Sequence, residues 1–127
     1  MAIISYKMRG DFSKTDTFLK RLLKKDFLRS LEQYGQEGVD ALSSATPVRT
    51  GLTASSWRYE IHRSGPEVSL VWTNSNINKG VPIAIILQYG HGTRNGGYVQ
   101  GIDYINPAIR PIFDKIAESV AKEVSSL

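Results

Sequence analysis

Cysteine is absent from this chain, and with it go disulfides, thiolate nucleophiles and most structural zinc sites, an absence that suits a reducing compartment. Histidine is scarce. His62 and His91 are the only two, and neither has a second ligand at a metal-binding spacing such as H-x-x-x-H. No stretch approaches the roughly 18 apolar residues that a membrane helix needs, and the opening MAIISYKMRGDF lacks the apolar run of a secretory signal. The expectation is a protein made and kept in the cytoplasm, with no membrane partner. Nucleotide signatures are missing too: Gly90 and Gly92 begin a G-x-G, but the third glycine of G-x-G-x-x-G would fall at Asn95, and no G-K-[ST] follows. No G-x-S-x-G elbow accompanies His91 and Asp103, so nothing in the spacing supports a triad through them. The carboxylates fall mostly on helix faces, which leaves paired-acid chemistry unsupported. No cofactor, no metal and no catalytic residue is expected.

What is present is enough for one domain. A chain of 127 residues that is 41% hydrophobic can bury a core of its own. Its net charge of +4 is unevenly placed: residues 1–29 hold eight Lys/Arg against three Asp/Glu, a net +5, which leaves −1 for the remainder. A basic segment of this kind docks on nucleic acid, docks on an acidic protein, or keeps a helix solvated.

Residues 16–45 carry the apolar positions Leu19, Leu23, Phe27, Leu31, Tyr34 and Leu42 at helical spacings. Lys20, Arg21, Lys24, Lys25 and Arg29 fall mostly between them as a candidate basic docking face. Thr15 or Asp16 suits the N-cap, and Pro47 marks the end. Gly35 and Gly38 each cost about 1 kcal/mol relative to Ala within a helix, so they signal a kink or a place where another backbone comes close. Residues 1–14 read as a flexible or strand-like arm. Beyond the turn PVRTG, Trp57, Tyr59 and Ile61 alternate with Arg58, Glu60 and His62, and after SGPE the segment EVSLVWT does the same with Val68, Leu70 and Trp72; the pair reads as a β-hairpin. VPIAIILQYG is apolar on both faces and suggests a third strand, covered on one side by helices and on the other by a further layer such as another subunit, although a helix has the same periodic signature. Asn106 as N-cap and Pro107 at the first helical position open a C-terminal helix to about Val124, with Ile109, Phe113, Ile116, Val120 and Val124 as its apolar stripe and Arg110, Asp114, Lys115, Glu118, Lys122 and Glu123 mostly on its wet side. The sum is an α+β domain: a long N-terminal helix, a mostly antiparallel sheet of three to four strands, a long glycine-rich loop, and a C-terminal helix packed on the sheet.

The loop, residues 90–105, holds five of the chain's eleven glycines. Extended, it spans roughly 50 Å at about 3.3 Å per residue, so it can reach a neighbouring molecule, and structureless loops beyond about 12–15 residues are usually functional or disordered. Gly90, His91, Gly92, Arg94, Gly96, Gly97, Tyr98 and Gly101 are its candidate assembly residues. Arg94, Tyr98 and Tyr104, with Lys79 nearby, also suit stacking and pairing with nucleic acid, though no helix-turn-helix, OB or RNA-recognition signature accompanies them.

Two stretches together resemble a known family. ATPVRTGLTASSW, with Pro47, Thr50 and Gly51 in its turn, and QYGHGTRNGGYVQGIDYINPAIRPIFDKI, with Tyr89, Gly90, Asn106 and Pro107 at the strand end and helix start, are similar to the two signatures of the small tail-completion and head-tail connector (neck) proteins of long-tailed bacteriophages. The matched turn and helix-start residues look structural. The resemblance implies a non-enzymatic virion component, made in the bacterial host cytoplasm, that forms a hexameric ring at the head-tail junction. Its partners would be copies of itself, the neighbouring connector and tail-tube proteins, and DNA passing through the channel at most non-specifically. The basic segment would then face an acidic neighbouring ring or line the DNA channel. The alternative from the residues alone is a basic nucleic-acid-binding protein.

Overall fold

The alternation around Trp57 and Leu70 does produce a hairpin. The computed structural model describes residues 2–9, 25–47, 51–64 and 67–125, without the side chains of Ala2, Arg9, Lys25 and Val124. In chain order the elements are β1 (Ala2–Arg9), α1 (Lys25–Ala45), α2 (Gly51–Ala54), β2 (Trp57–Ser64), β3 (Glu67–Asn74), β4 (Ile77–Asn78), β5 (Val81–Pro82), α3 (Ile83–Tyr89), β6 (Gly90–Gly92), β7 (Tyr98–Gln100) and α4 (Ile105–Ser125). The principal sheet is antiparallel in the order β1-β3-β2. The architecture is α+β.

Register explains which face is covered. Ile4, Tyr6 and Met8 of β1 lie opposite Trp72, Leu70 and Val68 of β3, and on the other side Tyr59 and Ile61 of β2 lie opposite Trp72 and Leu70. These residues form one apolar face, because side chains two apart share a side of the pleat. Phe27, Leu31 and Leu42 of α1 and Ile109, Ile112 and Ile116 of α4 are buried against it in one core. Phe113 joins α4 to the sheet: its ring meets Tyr6 edge-on at 5.1 Å between centroids and lies 6.0 Å from that of Trp72. The two helices are tied to each other at Tyr34 Oη and Ser119 Oγ, 2.7 Å apart, and by an ion pair from Lys115 to Glu37 at 3.1 Å. Ser5, Lys7, Arg58, Glu60 and His62 are exposed on the sheet's other face, on which Ser69 and Val71 of the central strand are buried.

Gly35 and Gly38 sit where α1 crosses the sheet, and both are buried. A Cβ on Gly35 would lie 2.6 Å from Tyr59 Cγ, and one on Gly38 would lie 2.6 Å from Trp72 Cε2. The Trp72 indole N–H donates to the Gly35 carbonyl at 3.0 Å. A close approach is what the structure shows, but by the aromatic side chains of Tyr59 and Trp72 and not, as expected, by another backbone. The end of α1 is pinned in the same way: Thr46 Oγ1 donates to the Leu42 carbonyl at 2.6 Å and accepts from the buried Trp57 indole N–H at 3.0 Å.

Three expectations need correction. VPIAIILQYG is not a third strand of the sheet; Val81–Pro82 is a two-residue strand paired with β4 through a Lys79-Gly80 turn, both residues at positive φ, and Ile83–Tyr89 is helical. The third strand is instead β1, from the segment read as a flexible or strand-like arm. Residues 90–105 are not a structureless loop, because Gly90–Gly92 and Tyr98–Gln100 pair as a hairpin. The C-terminal helix starts at Ile105, so Asn106 is not its N-cap and Pro107 is not its first residue. The N-terminal half of the expected first helix, with Thr15, Asp16, Leu19 and Leu23, lies outside the described residues, as do Thr50, residues 65–66 of the SGPE turn and the Val124 side chain.

Gly38→Ala tests the close approach by its sign. In an exposed helix this change stabilises by about 1 kcal/mol, whereas here the methyl would have to displace the Trp72 ring, and overpacking costs about 1–3 kcal/mol. A lowered midpoint in urea unfolding is expected; a raised one would mean that the helix is not seated on Trp72.

Candidate functional site

The hairpin β6–β7 projects from the domain with every residue from His91 to Gln100 exposed. Its geometry is set at both ends. At the tip, Thr93 N–H donates to the Gly97 carbonyl at 2.9 Å, Gly97 N–H donates to Thr93 Oγ1 at 3.0 Å, and Gly96 takes a positive φ of 78°. At the base, Gly90 leaves α3 at φ 83° with its N–H on the Ile86 carbonyl. A Cβ on Gly90 would meet Gly101 N at 2.8 Å, and one on Gly101 would meet Gly90 N at 2.6 Å. The two glycines therefore let the strands cross close together where the hairpin meets the body. Tyr98 Oη donates to the Tyr89 carbonyl at 2.7 Å, which folds the aromatic ring back along the base.

Gln88 mounts this hairpin on the domain. It ends the buried side of α3, and its Oε1 accepts the backbone N–H groups of Tyr104 and Ile105 at 3.0 and 2.9 Å. It thus caps α4 from another element, in the place expected of Asn106, and satisfies two donors that a helix start leaves open. Its Nε2 donates to Asp103 Oδ1 at 2.7 Å, and Asn106 Nδ2 donates to the same oxygen at 2.9 Å. The hydrogen bond from Gln88 foremost holds the Asp103 carboxyl below its ordinary range; burial, next in size, opposes it, and the hydrogen bonds from Asn106 and the charge of Arg110 add to the lowering. Ile102 N–H donates to the Leu87 carbonyl at 2.9 Å, and the buried Tyr104 hydroxyl donates to the Ala84 carbonyl at 2.8 Å; burial pushes that phenol up to about 12. The segment from Ile102 to Ile105, which leads from β7 into α4, is thereby stitched to α3.

The candidate assembly residues Gly90, His91, Gly92, Arg94, Gly96, Gly97, Tyr98 and Gly101 are brought together in this one projection. The other candidates are not. Gly51 opens the short α2 with open space where a Cβ would stand, Pro47 is half-buried, and Thr50 is outside the described residues. Of the basic face, Lys20, Arg21, Lys24 and the Lys25 side chain lie outside the described residues, and Arg29 is exposed between turns that carry Asp26 and Glu32. Asp103 is engaged by Gln88 and Asn106. Burial withdraws Tyr104 from any stacking role. Among the described residues no group of three or more His, Cys, Asp or Glu is placed to hold a metal ion, and no helix is long and apolar enough to cross a membrane.

The sequence reading missed the apolar surface around the hairpin. Tyr89 is 67% exposed, Tyr98 64%, Ile102 58% and Val99 42%. Apolar residues among five glycines were the available signal, since so short a segment has nothing of its own to bury them against. Gln88 was also missed, though it is the lone amide in an otherwise apolar run. Compared with protein-family models, curated proteins and solved structures, the chain finds no match in any of the three.

Gln88→Met keeps the shape and removes the hydrogen bonds. Leaving two helix N–H groups without their acceptor is expected to cost about 1–3 kcal/mol in urea unfolding. The same change should raise the Asp103 carboxyl toward the ordinary value of about 3.9 in a carbon-detected NMR titration. A carboxyl whose folded-state value is depressed contributes stability above its unfolded value and loses it as pH falls through the folded one, so this part of the acid sensitivity should shrink in the variant. An unmoved Asp103 titration would remove Gln88 as the cause.

Proposed function

We propose that this chain is a non-enzymatic assembly module that joins copies of itself through the β6–β7 hairpin, and that it serves as a tail-completion or neck protein of a long-tailed phage or prophage, in a hexameric ring at the head-tail junction. The single observation that carries the self-assembly reading is a fully exposed hairpin with apolar side chains, rigidly mounted on a packed body. An isolated two-stranded hairpin is marginal in water, and clustered exposed apolar residues mark interaction sites. A projection of this kind on one copy and a receptor surface elsewhere on the next make a head-to-tail contact, which closes into a ring when the rotation permits. The resemblance of ATPVRTGLTASSW and of the segment from Gln88 to Ile116 to the connector signatures supplies the location.

The nucleic-acid reading is weaker on this surface: Tyr104 is buried, which leaves Tyr98, Arg94 and Lys79 to bind a strand. A nucleic-acid binder would lose affinity steeply with salt, at a slope of about −0.9 per phosphate contact for duplex DNA. The neck protein should show little DNA binding at physiological ionic strength.

Replacing residues 93–100 by a short Gly-Ser turn should leave the body folded, because no residue of that span is buried. The variant should remain monomeric in sedimentation at high concentration and fail to restore tail attachment to particles that lack the protein, whereas the parent chain self-associates there and restores attachment. Assembly of the shortened chain at parental strength would overturn the reading.

A further inference from the structure

Resting on that reading, we infer that the hairpin of one copy seats against the edge of β1, unpaired among the described residues, in the next, in the slot between that edge and helices α3 and α4, with Arg94 paired to Asp114. The two edges of the principal sheet, β1 and β2, are not equivalent. β2 carries Arg58, Glu60, His62 and Arg63, all exposed, and charge along an edge is a standing barrier to strand addition. On β1 the only charged side chain described is Lys7, which is drawn to Glu67 of its own sheet at 3.9 Å. A bulge at Ile3, where the register shifts between Ala2 and Ile4, closes the other end. Between these two guards lie Ile4, Ser5 and Tyr6, a run as short as β7 itself (Tyr98–Gln100). A guest strand longer than a few residues is excluded; one of this length fits.

The slot beside the edge is mixed in character: Ile3 and Ile4 of β1, Ile85 and Tyr89 of α3 and Ile109 and Phe113 of α4 line it together with the polar Ser5 and Asn106. Addition of a strand at an edge uses main-chain hydrogen bonds for affinity and alternate side chains in an adjoining pocket for choice of guest, and Tyr98, Val99 and Gln100 offer both. A neighbouring hollow on α4, which shares Asn106, Ile109 and Phe113 with the slot, is lined by Asp114 and by Arg110. That carboxylate forms no salt bridge among the described residues, whereas Arg110 on the same helix lowers the Asp103 carboxyl. From Gly90 to Ile102 the hairpin carries no acid and one permanent charge, Arg94, which is exposed. A lone cation on the guest and an unpaired carboxylate on the host are complementary.

The absence of cysteine makes the test direct. Ser5→Cys in one preparation is mixed with Val99→Cys, or with Gln100→Cys, in another, and oxidised both in concentrated solution and on particles that lack the protein. Adjacent antiparallel strands bring Cα atoms to about 4.5–5.5 Å, within the range a disulfide spans, so a mixed Ser5–Val99 or Ser5–Gln100 dimer is expected; each chain then holds one cysteine, which excludes a link within a chain. Arg94→Glu and Asp114→Arg should each weaken self-association about tenfold, as reversal turns an attraction into a repulsion, and the double variant should return to within about threefold of the parent. Assemblies that form without the mixed disulfide and ignore both charge reversals would overturn the seat on β1 and leave the assembly reading intact. Ser5–Ser5 disulfides in place of mixed ones would overturn it in favour of edge-to-edge pairing. A chain that stays monomeric in solution and on particles would overturn both.

Discussion

The approach of α1 to the sheet at Gly35 and Gly38 is the constraint from which the rest of the body follows. Two aromatic side chains, Tyr59 and Trp72, occupy the space that two methyl groups would fill, and the Trp72 indole spends its one donor on the helix backbone. With α1 held this close to β2 and β3, the apolar face has room for α4 only beside it, over Tyr6 and Trp72, where Phe113 lies. The helix penalty of the glycines is offset by a tight, aromatic contact that a pair of alanines would hold apart. Thr46 and Trp57 repeat the device at the helix end, closing two donors and one carbonyl in a buried corner.

From that arrangement α4 inherits its position, and through Gln88 the position of its N-terminus is shared with α3. A helix start has orphan N–H groups that solvent or a side chain must satisfy. Here the side chain comes from α3, so the point at which the hairpin leaves α3 and the point at which it rejoins α4 are the same structural node. Shifting either helix would open the hydrogen bonds to Tyr104, Ile105 and Asp103 together. The hairpin's direction is thus a property of the core, transmitted by one amide and by the glycine pair Gly90 and Gly101.

What was legible in the sequence follows the same physics. The hairpin β2–β3 and the stripes of α1 and α4 were readable because their periodicities are long and sit at one surface. VPIAIILQYG was misread because Ile and Val favour strands locally, while seven residues between a Pro and a Gly are too few for a helical period to separate itself from a buried strand; tertiary packing of Ala84 and Gln88 decided. β1 could be read no further than a strand-like arm, since its partner β3 stands some sixty residues away and pairing at that distance leaves no local mark. The glycine-rich stretch was read as a loose loop, whereas three of its glycines serve turns and a crossing of backbones, where freedom of φ or the lack of a Cβ is needed. Asn106 and Pro107 looked like a helix start because they sit within two residues of it, but the acceptor that caps the helix comes from farther back in the chain, at Gln88.

A preformed hairpin changes the energetics of assembly. A mobile loop would incur its ordering entropy on binding, which weakens premature association; a hairpin already fixed by Thr93, Gly97 and Gln88 carries little of that cost. Restraint must then come from the contact itself. On the proposed seat, a three-residue strand and one exposed charge pair would make a small interface, below what a stable dimer ordinarily buries, so two copies meeting alone would gain little. Closing a ring changes this, because the last contact forms within one molecule at high effective concentration. A short arm, a short unguarded edge and a single exposed charge on each side would therefore give a chain that tolerates its own neighbours in dilute solution and commits only when the full ring, or a template that presents it, is available.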